Sequence, residues 1–264
     1  MLTELHGKGG RICQPALDGI QRCPLIIRPT SEDVITGYLA MGMRVLNPRW
    51  WLPDLLNLAL GVPRFRQQVF RRLEIEPWKN YPHYPRELLP WEEGSTQVDL
   101  NLTWENPPTT VFIEMKYGSD LSVRTAGSDA NHGFPSDQLI RNVRVGLWAC
   151  GWFQERPLFD LPPRDFVMVF CSPVKGHWLV RRYCDPGRLR RAIPHSNRLR
   201  GLPKSPMVGE LSYADIARVL RRRQRWYTRP ERKLAGTLAD YLLFKAKNLP
   251  AHDPASQGEL PFSN

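Results

Sequence analysis

Gln97-Val98-Asp99-Leu100-Asn101-Leu102-Thr103-Trp104, a Glu105-Asn106-Pro107-Pro108 turn, and Thr110-Val111-Phe112-Ile113-Glu114-Met115-Lys116 form the stretch that decides the fold. In the first run Val98, Leu100, Leu102 and Trp104 alternate with Gln97, Asp99, Asn101 and Thr103. That is the period of a strand with one apolar and one polar face. The second run is more uniformly apolar, as in a strand nearer the middle of its sheet. The Pro-Pro turn between them predicts a hairpin. A Gly-, Ser- and Asp-rich loop over 117–136 follows, and then Asp137 caps a helix expected to reach about Phe153, with Leu139, Val143, Leu147 and Cys150 on one face. Asp165 to Cys171 reads as another apolar strand. The order strand–strand–helix–strand predicts an α/β core built on a mixed sheet flanked by helices.

Toward the N-terminus, Thr30 or Ser31 is a suitable N-cap for a helix with Glu32 and Asp33 in its first turn, ending near Asn47-Pro48. Trp51 to Leu60 predicts a second helix, with Pro53 in its first turn and Gly61 as its stop. Phe65 to Leu73 predicts a third, and the Pro- and aromatic-rich stretch from Pro77 to Trp91 reads as an aperiodic connection. The expected organisation is a loosely ordered lead-in over 1–28, a core over 29–174, a basic and mainly helical extension over 175–248 packed on that core, and a flexible tail over 249–264. Within the extension, Ser212 and Asp215 form a capping box for a helix from Tyr213 to about Trp226, and a last helix starts at Pro230-Glu231 and runs to about Asn248.

Composition narrows the class. With 264 residues, 42% hydrophobic and 24% charged, the chain has the make-up of a globular protein of one large domain. The five cysteines are odd in number and include no CxxC pair, which argues against a disulfide framework or a zinc ribbon and fits a reducing, cytoplasmic setting. No signal-peptide h-region and no run of 18 apolar residues is present, so no membrane role is expected. The six histidines lack HExxH spacing, and there is no GxGxxG, GxxxxGK[ST] or GxSxG motif, which speaks against a zincin, a P-loop and a nucleophile elbow. The formal charge is +11, and it is local: residues 175–247 carry 19 Lys and Arg against 5 Asp and Glu, so the rest of the chain sums to −3.

Glu114 and Lys116 lie two apart on a strand and share a face. Asp99 lies on the polar face of the preceding strand and comes near Glu114 if the two pair as a hairpin. Two converging carboxylates make a hard oxygen site suited to Mg²⁺. An adjacent ammonium can hold the attacking water or stabilise charge growing on a phosphate. A Glu-x-Lys triplet alone carries little information, since Glu231-Arg232-Lys233 also matches within a predicted helix. Strand context and the companion Asp distinguish Glu114-Met115-Lys116. The plainer reading of the same residues is a turn-capping Asp99, or an ordinary cross-strand ion pair between Asp99 and Lys116.

These residues, Val98-Asp99, Ile113-Glu114-Met115-Lys116 and Gln138-Leu139-Ile140-Arg141-Asn142, resemble the PD-(D/E)xK nuclease superfamily, the restriction-endonuclease-like fold. The resemblance spans about residues 30 to 171 and implies an αβββαβ core. It also implies that Asp99, Glu114 and the Met115 backbone carbonyl are Mg²⁺ ligands, with Mn²⁺ a substitute. Lys116 would be the water-orienting base or an electrostatic group, and Gln138 would assist from the helix. An acidic residue on the first helix belongs to the pattern, with Glu32 the first candidate and Asp33 its rival. The chain departs from the pattern in having Val98 rather than Pro before Asp99, and Asn142 where a Tyr often follows the Gln.

The arginines suggest the grip. Arg221, Arg222, Arg223 and Arg225 cluster around a helix that ends in Trp226-Tyr227, and Arg188, Arg190, Arg191, Arg198 and Arg200 form a second group. Guanidinium groups suit forked phosphate contacts, and Trp226 suits stacking on a base. Arg141 on the core helix is a further phosphate candidate. The competing account of all of them is a solvated arginine face. The expected function is a Mg²⁺-dependent nuclease. DNA is favoured over RNA, and the resemblance points to a restriction or phage-defence endonuclease acting as a homodimer or with a partner protein. The alternative is a non-catalytic nucleic-acid- or partner-binding module on the same fold.

Overall fold

The structure is a computed structural model that describes residues 32–248 except 67, 83–85, 90, 124–132 and 154–161. The expected lead-in over 1–28, the tail over 249–264 and the caps Thr30 and Ser31 lie outside the described residues.

Two helices come first, α1 (Glu32–Val45) and α2 (Leu52–Leu60). Pro53 sits in the first turn of α2, and Gly61 ends it in the left-handed region at φ 70. Strands β1 (Arg71–Tyr81), β2 (Thr96–Glu105) and β3 (Thr109–Met115) follow, then α3 (Gln138–Ala149) and β4 (Asp165–Ser172). The chain continues through α4 (Trp178–Tyr183), α5 (Pro186–Ala192), β5 (Val208–Ser212), α6 (Tyr213–Arg222) and α7 (Arg229–Lys247).

The five strands make one sheet in the order β1-β2-β3-β4-β5. β1–β2 and β2–β3 are antiparallel, whereas β3–β4 and β4–β5 are parallel, so the sheet is mixed. Every residue of β3 is buried. Helices cover both faces. On one, Ile35 of α1, Leu56 of α2, Ile216 of α6 and Ala239 of α7 pack with Leu100, Leu102, Ile113 and Val167. On the other, Leu139 and Val143 of α3, Leu179 of α4 and Leu189 of α5 pack with Phe112, Phe166 and Met168. Residues 175–248 therefore supply a strand of the central sheet and two helices to each layer, as well as a surface.

Several local expectations are corrected. The helix expected over 65–73 does not form: β1 starts at Arg71 and runs to Tyr81, taking the first part of the stretch read as an aperiodic connection, whose described remainder up to Trp91 holds only a 3₁₀ turn, Arg86–Leu88. β1 is an edge strand, and an edge tolerates the missing N–H of Pro77. Its pairing with β2 also breaks regularity, with Arg72 at φ 51 and Trp78 at φ 52. The helix from Asp137 stops at Ala149 rather than Phe153. Gly151 there takes φ 78, while the N–H groups of Trp152 and Gly151 donate to the carbonyls of Leu147 and Trp148, a Schellman stop. Likewise α6 ends at Arg222, and Gln224–Trp226 form a separate 3₁₀ turn. On the polar face of β2 Asp99 and Asn101 are buried, while Gln97 and Thr103 are partly exposed. Val98 leaves the row of Leu100, Leu102 and Trp104 and packs on the α3 side. The register brackets Asp99 against the irregular Trp78, which is where the alternation turns over.

Candidate active site

The parallel strands β3, β4 and β5 end side by side, with Met115 against Cys171 and Ser172 against Ser212. At that edge the chain leaves β3 through Lys116. The Lys116 N–H donates to the Cys171 carbonyl at 2.8 Å, and its own carbonyl accepts from the Tyr213 hydroxyl at 2.7 Å. The backbone at Lys116 is thus pinned from β4 and from the start of α6.

Glu114 faces the α3 layer and is fully buried. A carboxylate removed from water needs donors on both oxygens. Oε1 accepts from Lys116 Nζ at 2.9 Å and from the Gln138 side-chain amide, and Oε2 accepts from Asn142 Nδ2 at 2.9 Å. Gln138 is the first residue of α3, held there because Asp137 Oδ1 caps the helix by accepting from Ile140 N at 2.9 Å. Asn142 comes one turn later on the same face.

Glu32, the first residue of α1, reaches across to this edge. Its Oε1 accepts from Tyr117 N at 3.0 Å and from the Ser119 hydroxyl, and its Oε2 lies 3.5 Å from Lys116 Nζ. Of the two acids opening α1, Glu32 is the one that meets Lys116. Asp99 accepts a 2.8 Å hydrogen bond from Met115 N through Oδ2. The β2–β3 register ends at Leu100 opposite Ile113, and one step on the Asp99 carboxylate takes the Met115 N–H that a ladder bond would otherwise take. Lys116 is buried as well. Burial alone would lower its pKa, but Glu114, then Glu32 and Asp99, outweigh burial and hold the amine above the usual lysine value. A charged ammonium donates and stabilises anions. The ion pairs of Lys116 with Glu114 and Glu32 are those of a charged side chain, which is what the electrostatic role expected for it uses.

The carboxylates here are hard oxygen donors, the chemical type that a divalent cation such as Mg²⁺ takes. Three carboxylates, Glu32, Asp99 and Glu114, surround one ammonium, leaving net negative charge on oxygen ligands, which is what Mg²⁺ takes. Among the described residues no group of three or more His, Cys, Asp or Glu side chains is gathered closely enough to cage a metal alone. The available set is Asp99, Glu114 and the Met115 carbonyl, with Glu32 beside them.

Other expected site residues lie elsewhere. Arg141 is committed to its own scaffold: Nη2 donates to the carbonyls of Gly94 and Ser95 at 2.9 Å each, and Nε faces Glu93. The Arg221–Trp226 group stands at the opposite end of the sheet. α6 starts at Tyr213 beside Lys116, and Arg222 is nine residues further on, roughly 13 Å along the axis. Arg222 and Arg223 line a cleft of about 1420 Å³ with Arg49, Arg66, Trp50 and Gln68. Gln68 in turn bonds the carbonyl of Asn106 in the β2–β3 turn, the end of the hairpin remote from Lys116. Arg221 pairs with Asp240 and Arg223 with Asp54, while Arg225 lies over the Trp226 ring. Trp226 stacks on Trp50 with centroids 5.3 Å apart and planes 17° apart. None of these side chains joins the Glu114–Lys116 group.

Tyr213 is the site residue that sequence reasoning missed, whereas Asn142, noted only as standing where a Tyr often follows the Gln, holds Glu114. Asn142 had a legible signal in its i+4 spacing from Gln138. Tyr213 had none, because its hydrogen bond to Lys116 spans 97 residues.

No family model matches the chain, and no curated protein or solved structure is similar enough to match it. Among the described residues no helix is long and apolar enough to cross a membrane.

Proposed function

We propose that this protein is a Mg²⁺-dependent nuclease of the PD-(D/E)xK kind, hydrolysing phosphodiester bonds at the edge where β3, β4 and β5 end. The observation that carries the reading is Glu114 Oε1: it accepts from Lys116 and Gln138 at once, beside Glu32 and Asp99. The element order from α1 through β4, which is α-β-β-β-α-β once the additional helix α2 between α1 and β1 is set aside, supports the same reading.

Asp99, Glu114 and the Met115 carbonyl would hold the ion, with Glu32 beside them. The ion supplies Lewis-acid charge stabilisation to the phosphoryl group. Lys116, kept cationic by its carboxylates, donates to the attacking water or to a non-bridging phosphate oxygen and opposes the charge that grows there. Gln138 and Asn142 hold both Glu114 oxygens in place, so the ligand needs little reorganisation. Tyr213 fixes the Lys116 backbone from α6. DNA is the favoured substrate, with RNA second. A restriction or defence role in the cytoplasm, as a homodimer or with a partner protein, rests on the family resemblance.

The test is incubation of plasmid, linear, single-stranded DNA and RNA with Mg²⁺ or Mn²⁺, with an EDTA control. Cleavage that needs the metal and is lost in Glu114→Ala and Lys116→Ala supports the proposal. No cleavage of any substrate, or cleavage indifferent to both substitutions, overturns it.

One observation favours a second reading, a non-catalytic binding module. The hydrogen bond from Met115 N to Asp99 and the ion pairs of Lys116 with Glu114 and Glu32 form a self-satisfied cluster. A module of this kind binds nucleic acid in a salt-sensitive way and turns nothing over.

A further inference from the structure

Resting on the nuclease reading for its substrate class, we propose that the phosphate backbone is held by the cleft between α4, α5 and the 133–135 segment, and not by the α6 arginines. The cleft is about 550 Å³ and is lined by Arg181, Arg182, Arg188 and Arg191, with Trp178 and Pro135 among its other walls. Among the described residues no carboxylate lines it. Among the described residues none of the four arginines is in an ion pair. The arginines at the far end of α6 differ, since Arg221 and Arg223 are already neutralised by Asp240 and Asp54.

Position is the second argument. Pro135 lies three residues before Gln138, whose amide bonds Glu114. α4 begins at the edge where β4 ends, and its Tyr183 hydroxyl donates to Asp137 Oδ2, the cap of α3. The cleft therefore adjoins the helix end that presents Gln138. Arg182 is close enough to Asp137 to act on it electrostatically. A strand lying in the cleft can pass the Glu114–Lys116 edge, whereas one bound to the α6 arginines is held at the opposite end of the sheet.

Chemistry is the third. Arg188 and Arg191 are three apart on α5, so their guanidinium groups rise from one face. Together with Arg181 at the end of α4, they form a row of forked donors that matches successive phosphates and reads no base. Trp178, stacked beside His177 with centroids 6.2 Å apart, offers an exposed ring at the mouth of the cleft for a sugar or base. The neighbourhood of an acidic centre and a basic track is what a phosphodiester substrate needs, since the cation site alone would repel it.

The experiment measures anisotropy of a labelled DNA duplex and of a single strand in EDTA over a salt series, so that no turnover is required. Three proteins are compared: wild type, Arg181→Gln/Arg188→Gln/Arg191→Gln, and the charge-matched Arg221→Gln/Arg222→Gln/Arg225→Gln. Thermal melts confirm that each is folded. All six side chains are exposed, so folding is expected to survive. The α4–α5 variant should bind at least tenfold more weakly near 0.1 M salt. Its slope of log K against log[salt] on duplex should flatten by about 0.9 for each phosphate that the protein no longer neutralises, while the α6 variant stays within about threefold of wild type. An unchanged α4–α5 variant, a larger loss in the α6 variant, or wild type that binds neither DNA form overturns the proposal. Wild-type binding without cleavage in Mg²⁺ overturns the nuclease reading alone and leaves the cleft assignment standing.

Discussion

Asn142 Nδ2 donates a 2.9 Å hydrogen bond to Glu114 Oε2, while the amide of Gln138, one helical turn earlier, donates to Oε1 of the same carboxylate. One helix face thus orients both oxygens of a fully buried acid. Substitution of Gln138 or Asn142 by Ala should lower metal-dependent cleavage about 10–100-fold, as loss of a group that orients a metal ligand commonly does. The double variant should lose less than the product of the two single losses, since both act on one carboxylate. Initial rates of plasmid cleavage check this, and strictly multiplicative losses would argue that the two amides work independently of Glu114.

Lys116 lies between Glu114 at 2.9 Å and Glu32 at 3.5 Å, and its side chain is 8% exposed. Lys116→Met leaves the buried Glu114 and the partly exposed Glu32 without their counter-charge. Without divalent metal the variant should be less stable than wild type by about 3–5 kcal/mol. Millimolar Mg²⁺ should recover more of that loss than it adds to wild type, because a bound cation replaces the missing charge. Denaturant melts with and without Mg²⁺ measure both effects. Equal Mg²⁺ gains in the two proteins would count against a cation site at these carboxylates.

A Cβ at Gly146 would stand 2.1 Å from the Phe166 ring, and one at Gly209 would stand 2.3 Å from the Ala59 carbonyl oxygen. Gly146→Ala must push α3 away from β4, and Gly209→Ala must push α2 away from β5. Each should cost about 1–3 kcal/mol of stability. Only Gly146→Ala should also depress cleavage in the folded protein, because α3 carries Gln138 and Asn142. Thermal melts paired with initial rates separate the two variants.

The capping box of α6 gives a pH-dependent prediction. Burial alone would raise the Asp215 pKa, but the hydrogen bonds from Lys175 and Ser212 outweigh it and hold the pKa below the usual aspartate value. A lowered folded pKa stabilises above the unfolded pKa near 4 and is lost as pH falls through the folded value. Asp215→Asn should therefore be less stable by about 1 kcal/mol at pH 7. Its difference from wild type should shrink steadily below about pH 4. Urea midpoints at pH 7, 4 and 3 give the comparison, and a gap that widens on acidification would contradict it.

Local chemistry made much of the site legible. The apolar run through Ile113 with Glu114 and Lys116 two apart is a property of neighbouring residues, and a strand must place them on one face. Asp137 as a cap, the Ser212–Asp215 box and Gly61 as a stop are likewise read within four residues. β1 was not legible, because an edge strand with Pro77 and two left-handed residues carries no alternation. β5 was not legible either, since five residues containing Gly209 become a strand only when β4 lies beside them.

From its own residues the chain determined an α/β core with a mixed sheet, the pairing of an acid and an amine on a central strand, and a surplus of +14 over residues 175–247. Only the tertiary structure decided that Glu32, 82 residues away from Glu114 in sequence, meets the same ammonium, and that Arg141 is spent on Gly94 and Ser95. It also decided which arginines stand near the acidic edge. Charge along a sequence is additive and can be counted. Which charges face each other depends on where parallel strands end and which way each helix runs back, and that is set by burial of the two apolar layers. The same packing that buries Ile216 and Ala239 carries the α6 arginines to the far end of the sheet, and leaves those of α4 and α5 beside the cap of α3.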